Sequence, residues 1–125
     1  MLLLKGLRVK ICVIDDDPLI VSHLETMLTS LGHVVVTALD ADTGLSRVQT
    51  QDSDAVIVDI LMPDRDGLTF IMSARKLRSD LRIVAMTGGG RLGASSVLKM
   101  AAGLGADATL VKPFSHSELS LALDA

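Results

Sequence analysis

Residues 55–59 read Ala55-Val56-Ile57-Val58-Asp59, four apolar residues in a row closed by a carboxylate. A strand that is apolar at every position has to be covered on both faces, which is the situation of a central strand in a parallel sheet with helices above and below. Further short runs rich in β-branched residues at 9–14, 34–38, 83–86 and 109–111 repeat the theme, and the stretches between them are long enough for helices. Strands that alternate with helical stretches specify βα units, so the chain is predicted to be α/β, with five parallel strands, five helices and the 55–58 strand in mid-sheet.

The helical stretches carry apolar residues at three- and four-residue spacing. Ile20, Leu24, Met27, Leu28 and Leu31 form the first stripe, which stops at Gly32 as a C-cap. Ala41, Leu45 and Val48 form a second, Phe70, Ile71, Ala74 and Leu77 a third, and Val97, Met100, Ala101 and Leu104 a fourth that ends in Gly103-Leu104-Gly105. The last helix starts near Ser115, with Glu118 three residues on as a capping box, and carries Leu119, Ala122 and Leu123. The six methionines and the leucine stripes are assigned to the core.

With 125 residues, 49% of them hydrophobic and 22% charged, the chain is sized for one domain. Twelve Lys and Arg against fifteen Asp and Glu leave a net charge of −3, too little positive field to collect nucleic acid or anionic lipid. There is no Trp or Tyr and only two Phe, so base stacking is disfavoured. A lone cysteine, Cys12, sits in the apolar run 11–14 as a small buried hydrophobe, and the four-residue apolar start is too short for a signal peptide or membrane span. A cytoplasmic protein is expected, with residues 1–8 an N-terminal extension to a domain at 9–125 and any output domain outside this chain.

In a parallel sheet the loops after the strands share one edge, and ligands bind there where the strand order reverses. The first strand ends in Asp15-Asp16-Asp17, the third in Asp59, the fourth in Thr87 and the fifth in Lys112. Carboxylates gathered this way repel one another, and with no Cys or His cluster the natural remedy is a hard divalent cation, Mg²⁺ by preference. An Asp beside a metal and a Lys can attack phosphorus, with Thr87 donating to a phosphoryl oxygen; the product is an aspartyl phosphate.

At this point the sequence resembles the response-regulator receiver domain of two-component signalling, the CheY-like superfamily. The matching segments are Val13-Ile14-Asp15-Asp16-Asp17-Pro18, Val56 to Gly67 around Asp59, Met86-Thr87-Gly88 and Leu110-Val111-Lys112-Pro113-Phe114. The resemblance covers about residues 9–125 and implies a doubly wound, flavodoxin-like sheet in the order 2-1-3-4-5. It also implies that Asp59 is the phosphoacceptor, that Asp15, Asp16, Asp59 and the Leu61 carbonyl hold Mg²⁺, and that Lys112, Thr87 and the Gly88 N–H bind the phosphoryl group. A cis Lys112–Pro113 bond is the family habit. The implied partner is a histidine kinase or histidine phosphotransfer protein, docking at Pro18, Leu19, Ser22, Pro113 and Phe114. The domain would catalyse its own phosphorylation, without turning over a separate substrate, and switch conformation.

Departures from the family pattern carry expectations too. The position three before the lysine, usually an aromatic switch, is Thr109, so coupling by ring rotation does not operate as such. Leu61 and Gly89 lack side chains that orient water, which predicts slow self-dephosphorylation, and the glycine-rich segment 88–93 predicts a mobile loop. A phosphorelay shuttle or phosphate sink uses the same chemistry. Two rival readings are weaker: Gly88-x-Gly90-x-x-Gly93 formally matches a dinucleotide fingerprint but its next strand ends in Lys112, and Asp15-Asp16-Asp17-Pro18-Leu19 half matches the haloacid-dehalogenase nucleophile motif, broken at Leu19. Asp17, Asp64 and Asp66 read as cap and turn residues, and His23, His33 and His116 as solvated residues without ligand spacing.

Overall fold

Strand residues alternate between faces, so parallel strands that carry apolar residues on both faces generate two separate cores. The computed structural model describes residues 9–62, 67–88 and 94–124. The elements run β1 (Lys10–Ile14), α1 (Pro18–Ser30), β2 (Val34–Ala38), α2 (Ala41–Gln51), β3 (Ala55–Asp59), α3 (Gly67–Leu77), β4 (Arg82–Gly88), α4 (Ala94–Leu104), β5 (Ala108–Lys112) and α5 (His116–Leu123). All four strand pairs are parallel and the order is β2-β1-β3-β4-β5, with β3 in the middle and buried at every residue. The expectations for the extension 1–8, for Asp64 and Asp66, and for the glycine segment after Gly88 lie outside the described residues.

On one face Ile11, Val13, Ile57, Val84 and Met86 pack with Val21, Leu24, Met27 and Leu28 of α1 and Leu119, Ala122 and Leu123 of α5. On the other, Cys12, Ile14, Val56, Val58, Ile83 and Ala85 meet α2, α3 and α4 through Val48, Phe70, Ile71, Ala74 and Ala101. Burial of the Cys12 thiol pushes its pKa up to about 12, which makes it an inert core side chain. Among the described residues no helix is long and apolar enough to cross a membrane.

Local signals set the element ends. Asp17 caps α1 by accepting from the Leu19 N–H at 2.9 Å, Pro18 follows as the first helical residue, and the chain leaves the helix through Gly32 at φ +92°. Ser115 and Glu118 form the capping box expected for α5. Three predicted core residues are instead largely exposed, Leu31 at 43%, Leu77 at 43% and Met100 at 55%. Leu31 and Leu77 lie at the C-terminal ends of their helices, past the reach of the sheet. In α4 the inward stripe is the buried Ala101 with the partly buried Val97, Leu98 and Leu104, and Met100 lies off it. Met72 is also exposed, at 44%.

At the sheet edge where the strands begin, three arginines bind the carbonyls that helix ends leave over. Arg75 donates to Ser79, Leu81 and Gly105 and pairs with Asp107 at 2.8 Å. Arg82 donates to the Ala122 and Asp124 carbonyls at 2.9 and 2.8 Å, holding the end of α5. Arg78 binds the Ser53 carbonyl beyond α2.

The approach of α2 to β1 depends on Gly44, where an added Cβ meets the Ile14 side chain inside the core. Overpacking of this kind costs about 1–3 kcal/mol. Gly44→Ala is therefore expected to fold with a urea midpoint lowered by that amount of stability and an unchanged denaturant slope, as followed by circular dichroism.

Candidate functional site

β1 lies between β2 and β3, and the strand order reverses its direction across the sheet between β1 and β3. The two connecting loops diverge there, leaving a crevice at the strands' carboxyl ends. Asp15 directly follows β1, Asp59 ends β3, Thr87 sits in β4 and Lys112 ends β5. Asp15, Asp59 and Thr87 are buried, whereas Asp16 is exposed at the mouth.

Lys112 ties the buried carboxylates together. Its Nζ donates to Asp15 Oδ2 at 2.8 Å and to Asp59 Oδ2 at 3.1 Å. The remaining oxygen of each carboxylate takes an amide two residues further on: Asp15 Oδ1 accepts from the Asp17 N–H at 3.0 Å, and Asp59 Oδ1 from the Leu61 N–H at 2.9 Å. Leu61 was expected at the site only for its carbonyl; its amide also orients the Asp59 carboxylate, an Asx-type contact that follows from the backbone bend after β3.

The charges do not balance locally, since Asp15, Asp16 and Asp59 bring oxygens within 4.8 Å of one another around one ammonium. Burial, opposed by the Leu61 amide and Lys112, pushes the Asp59 pKa above the ordinary aspartate value. Asp16 is raised as well, by desolvation and then by the neighbouring Asp15. Burial works against charge on Lys112, but its two carboxylate partners outweigh it and hold its pKa above the usual lysine value.

Thr87 is fully buried and its hydroxyl has no hydrogen-bond partner among the described residues. Such a group costs roughly 1–3 kcal/mol unless something arrives to bind it, so a buried hydroxyl beside an acidic crevice is poised for an oxygen-rich ligand. A donor set of carboxylates without sulfur or imidazole fits a hard cation. Gly88 ends β4 in register with Lys112, which places its backbone beside the ammonium-bearing residue. The Lys112–Pro113 peptide is cis, as the resemblance implies.

Of the remaining candidates, Asp17 caps a helix and is no part of the cluster. His23 and His116 are exposed, and the half-buried His33 accepts from the Val9 N–H at 3.4 Å, far along the chain from the acids. At the rim Leu19 is 79% exposed and Pro113 and Ser22 are exposed, while Phe114 packs against the α1/α5 core. Thr109 is exposed on β5.

Fold and site together define a class: a doubly wound α/β domain with an oxygen-only acidic centre and one lysine at its switch point. The family model of the response regulator receiver domain matches residues 11–124, and the chain belongs to that family, the receiver domains of two-component response regulators. The probable transcriptional regulator ycf27 of Cyanophora paradoxa is 39% identical over 110 residues, covering 88% of this chain and 44% of that protein. The two-component response regulator PhoP of Pseudomonas aeruginosa is 35% identical over 116 residues, covering 93% of this chain and 50% of that one. The chain thus spans half or less of the length of these curated relatives. A solved response regulator receiver domain protein from Clostridium thermocellum superimposes with a TM-score of 0.81 at 30% identity, covering 92% of this chain and 90% of that one. The family match takes in the 15–19 segment on which the phosphatase reading rested.

The raised Asp59 pKa has a definite consequence for stability. A carboxyl whose folded value exceeds its unfolded value favours folding while protonated, and that contribution is lost as pH rises through the folded value. Asp59→Asn removes the dependence at this residue and leaves Lys112 paired with Asp15. In chelator, the variant is expected to melt close to wild type near pH 4 and about 2–6 °C above it at pH 7.5. Circular dichroism melts at both pH values check this, and a gap that shrinks as pH rises contradicts the assignment.

Proposed function

We propose that this chain is a phosphoacceptor switch in which Asp59 takes a phosphoryl group from a phosphohistidine in a Mg²⁺-dependent reaction. The observation that carries the reading is the convergence on Asp59 of Lys112, two further carboxylates and the unpartnered Thr87 hydroxyl. The functional module is taken as residues 9–125, with 1–8 an extension to it, and the absence of a membrane-length helix among the described residues accords with a cytoplasmic role.

An Asp59 oxygen attacks phosphorus in line with the imidazole nitrogen. The O–P bond forms as the P–N bond breaks, and the departing imidazole keeps the electron pair. Leu61 N–H and Lys112 hold the attacking carboxylate in place from opposite oxygens. Lys112 then follows the charge onto the phosphoryl oxygens, Thr87 donates its free hydroxyl to one of them, and the Gly88 N–H is the candidate donor to another. Asp15, Asp16, Asp59 and the Leu61 carbonyl would hold Mg²⁺, which supplies positive charge to the transferring group. The resulting acyl phosphate gives the Thr87 hydroxyl a partner it lacks in the resting state and draws Lys112 from the carboxylates toward the phosphoryl oxygens, and this differential contact shifts the conformational balance. With Leu61 two residues after Asp59 there is no side chain to orient a hydrolytic water, so the phosphate is long-lived.

The donor is a histidine kinase or phosphotransfer protein that docks on the exposed rim of Leu19, Ser22 and Pro113. Ser22→Glu is expected to slow transfer from such a partner while labelling by acetyl phosphate proceeds at the wild-type rate; equal loss of both places the docking surface elsewhere.

Metal binding is read through stability. Mg²⁺ at a hundred times its dissociation constant adds about 2.7 kcal/mol, which a circular dichroism melt resolves in a chain without Trp or Tyr. Identical midpoints in Mg²⁺ and in chelator rule out the cation site.

Chemistry is read by mass. With acetyl phosphate and Mg²⁺, wild type is expected to gain one hydroxylamine-labile phosphoryl group and Asp59→Asn none. Lys112→Ala is expected to label more slowly and to lose the amide-exchange changes that follow phosphorylation around Thr87 and Thr109. A wild-type level of label on Asp59→Asn puts the phosphoacceptor elsewhere.

A further inference from the structure

The β3–α3 connection leaves the sheet at the nucleophile and returns at Gly67, the first residue of α3. Gly67 is buried, and its N–H donates to the Ile60 carbonyl at 3.2 Å, so the start of α3 is stitched to the end of β3. A Cβ built on Gly67 lies 2.5 Å from the Asp59 carbonyl oxygen and 2.5 Å from the Ile60 Cα. Both obstacles are backbone atoms, so no rotamer change relieves the contact. Restoring ordinary van der Waals separation needs a displacement of about 1 Å.

Glycine at this place is not explained by backbone conformation. The described glycines with positive φ are Gly32 and Gly105, and Gly67 is not one of them. Nor is it explained by helix formation, since alanine is the better helix former. Close approach to 59–60 is the constraint that remains.

We propose that Gly67 is a positioning residue for the phosphoacceptor: the absence of a side chain lets α3 press directly on the Asp59–Ile60 backbone and so sets where the Asp59 carboxylate and the Leu61 peptide group stand in the crevice. The inference rests on the reading of Asp59 as nucleophile and of the Leu61 carbonyl as a cation ligand. The displaced segment carries both groups, and it also carries the Leu61 N–H that holds Asp59 Oδ1. A displacement of about 1 Å at a reacting group costs on the order of a hundredfold in rate.

Gly103 supplies the control, because it lies within α4 and a Cβ there meets nothing within 4 Å. Gly103→Ala adds helix propensity in open space and serves as the background for Gly67→Ala. Wild type, Gly103→Ala and the double variant are titrated with Mg²⁺ alone by amide NMR, then treated with acetyl phosphate and Mg²⁺ and followed by mass. Gly103→Ala is expected to match wild type in both measurements. The double variant is expected to keep a dispersed amide spectrum, to bind Mg²⁺ about tenfold or more weakly, and to label on the order of a hundredfold more slowly. A double variant equal to wild type in affinity and rate overturns the role of Gly67, as does one that unfolds globally, since the proposed displacement is local. If wild type itself neither binds Mg²⁺ nor takes label, the reading of the site fails first and the inference with it.

Discussion

One ammonium between two buried carboxylates organises this molecule. Lys112 lies 97 residues from Asp15 and 53 from Asp59 along the chain, and it reaches both within 3.1 Å. No local element can bring these groups together. They meet because β1, β3 and β5 are parallel and present their carboxyl ends on one edge, so the register of four strand pairs is what builds the centre. The same arrangement forces like charges into a small space. Lys112 offsets part of the repulsion, while desolvation first and the neighbouring carboxylates after it hold Asp59 and Asp16 above the ordinary aspartate value.

The two edges of the sheet carry opposite physical loads. At the starting edge Arg75, Arg78 and Arg82 satisfy carbonyls left over at the ends of α2, α3, α4 and α5, which closes that side of the molecule. At the finishing edge a buried hydroxyl stands unpartnered and carboxylates crowd one another. A stable body with an unsatisfied working edge is what a switch needs, because a ligand shifts a conformational equilibrium only through interactions that differ between its states. The close approach of Gly67 to the 59–60 backbone links the two regimes, joining the packing of α3 to the position of Asp59.

Much of this arrangement is legible in the sequence. Continuous apolar character in 55–58 marked the central strand because only a strand covered on both faces can be apolar at every position. The strand ends fell within one residue of those observed except at the end of β4, which runs two residues further to Gly88 and so brings Thr87 into the sheet. The caps at Asp17 and Ser115 were readable because capping is a contact over two or three residues. Met100, Leu31 and Leu77 were misread as core. Periodicity identifies an apolar stripe, but it does not say how far the neighbouring sheet extends beneath it, or which of Leu98 and Met100, two residues apart on the helix, faces inward.

By itself the sequence determined the alternation of strands and helices, the acidic and basic residues that close the strands, and the family to which those segments belong. These follow from short-range periodicity and from residue order. Only the tertiary structure decided which atoms pair: that Lys112 bridges Asp15 and Asp59, that the Leu61 amide holds Asp59, that Thr87 is left without a partner, and that Gly67 is glycine for want of space. Each of these depends on distances between segments far apart in the chain, and those distances are set by sheet register and helix packing, which no local pattern encodes.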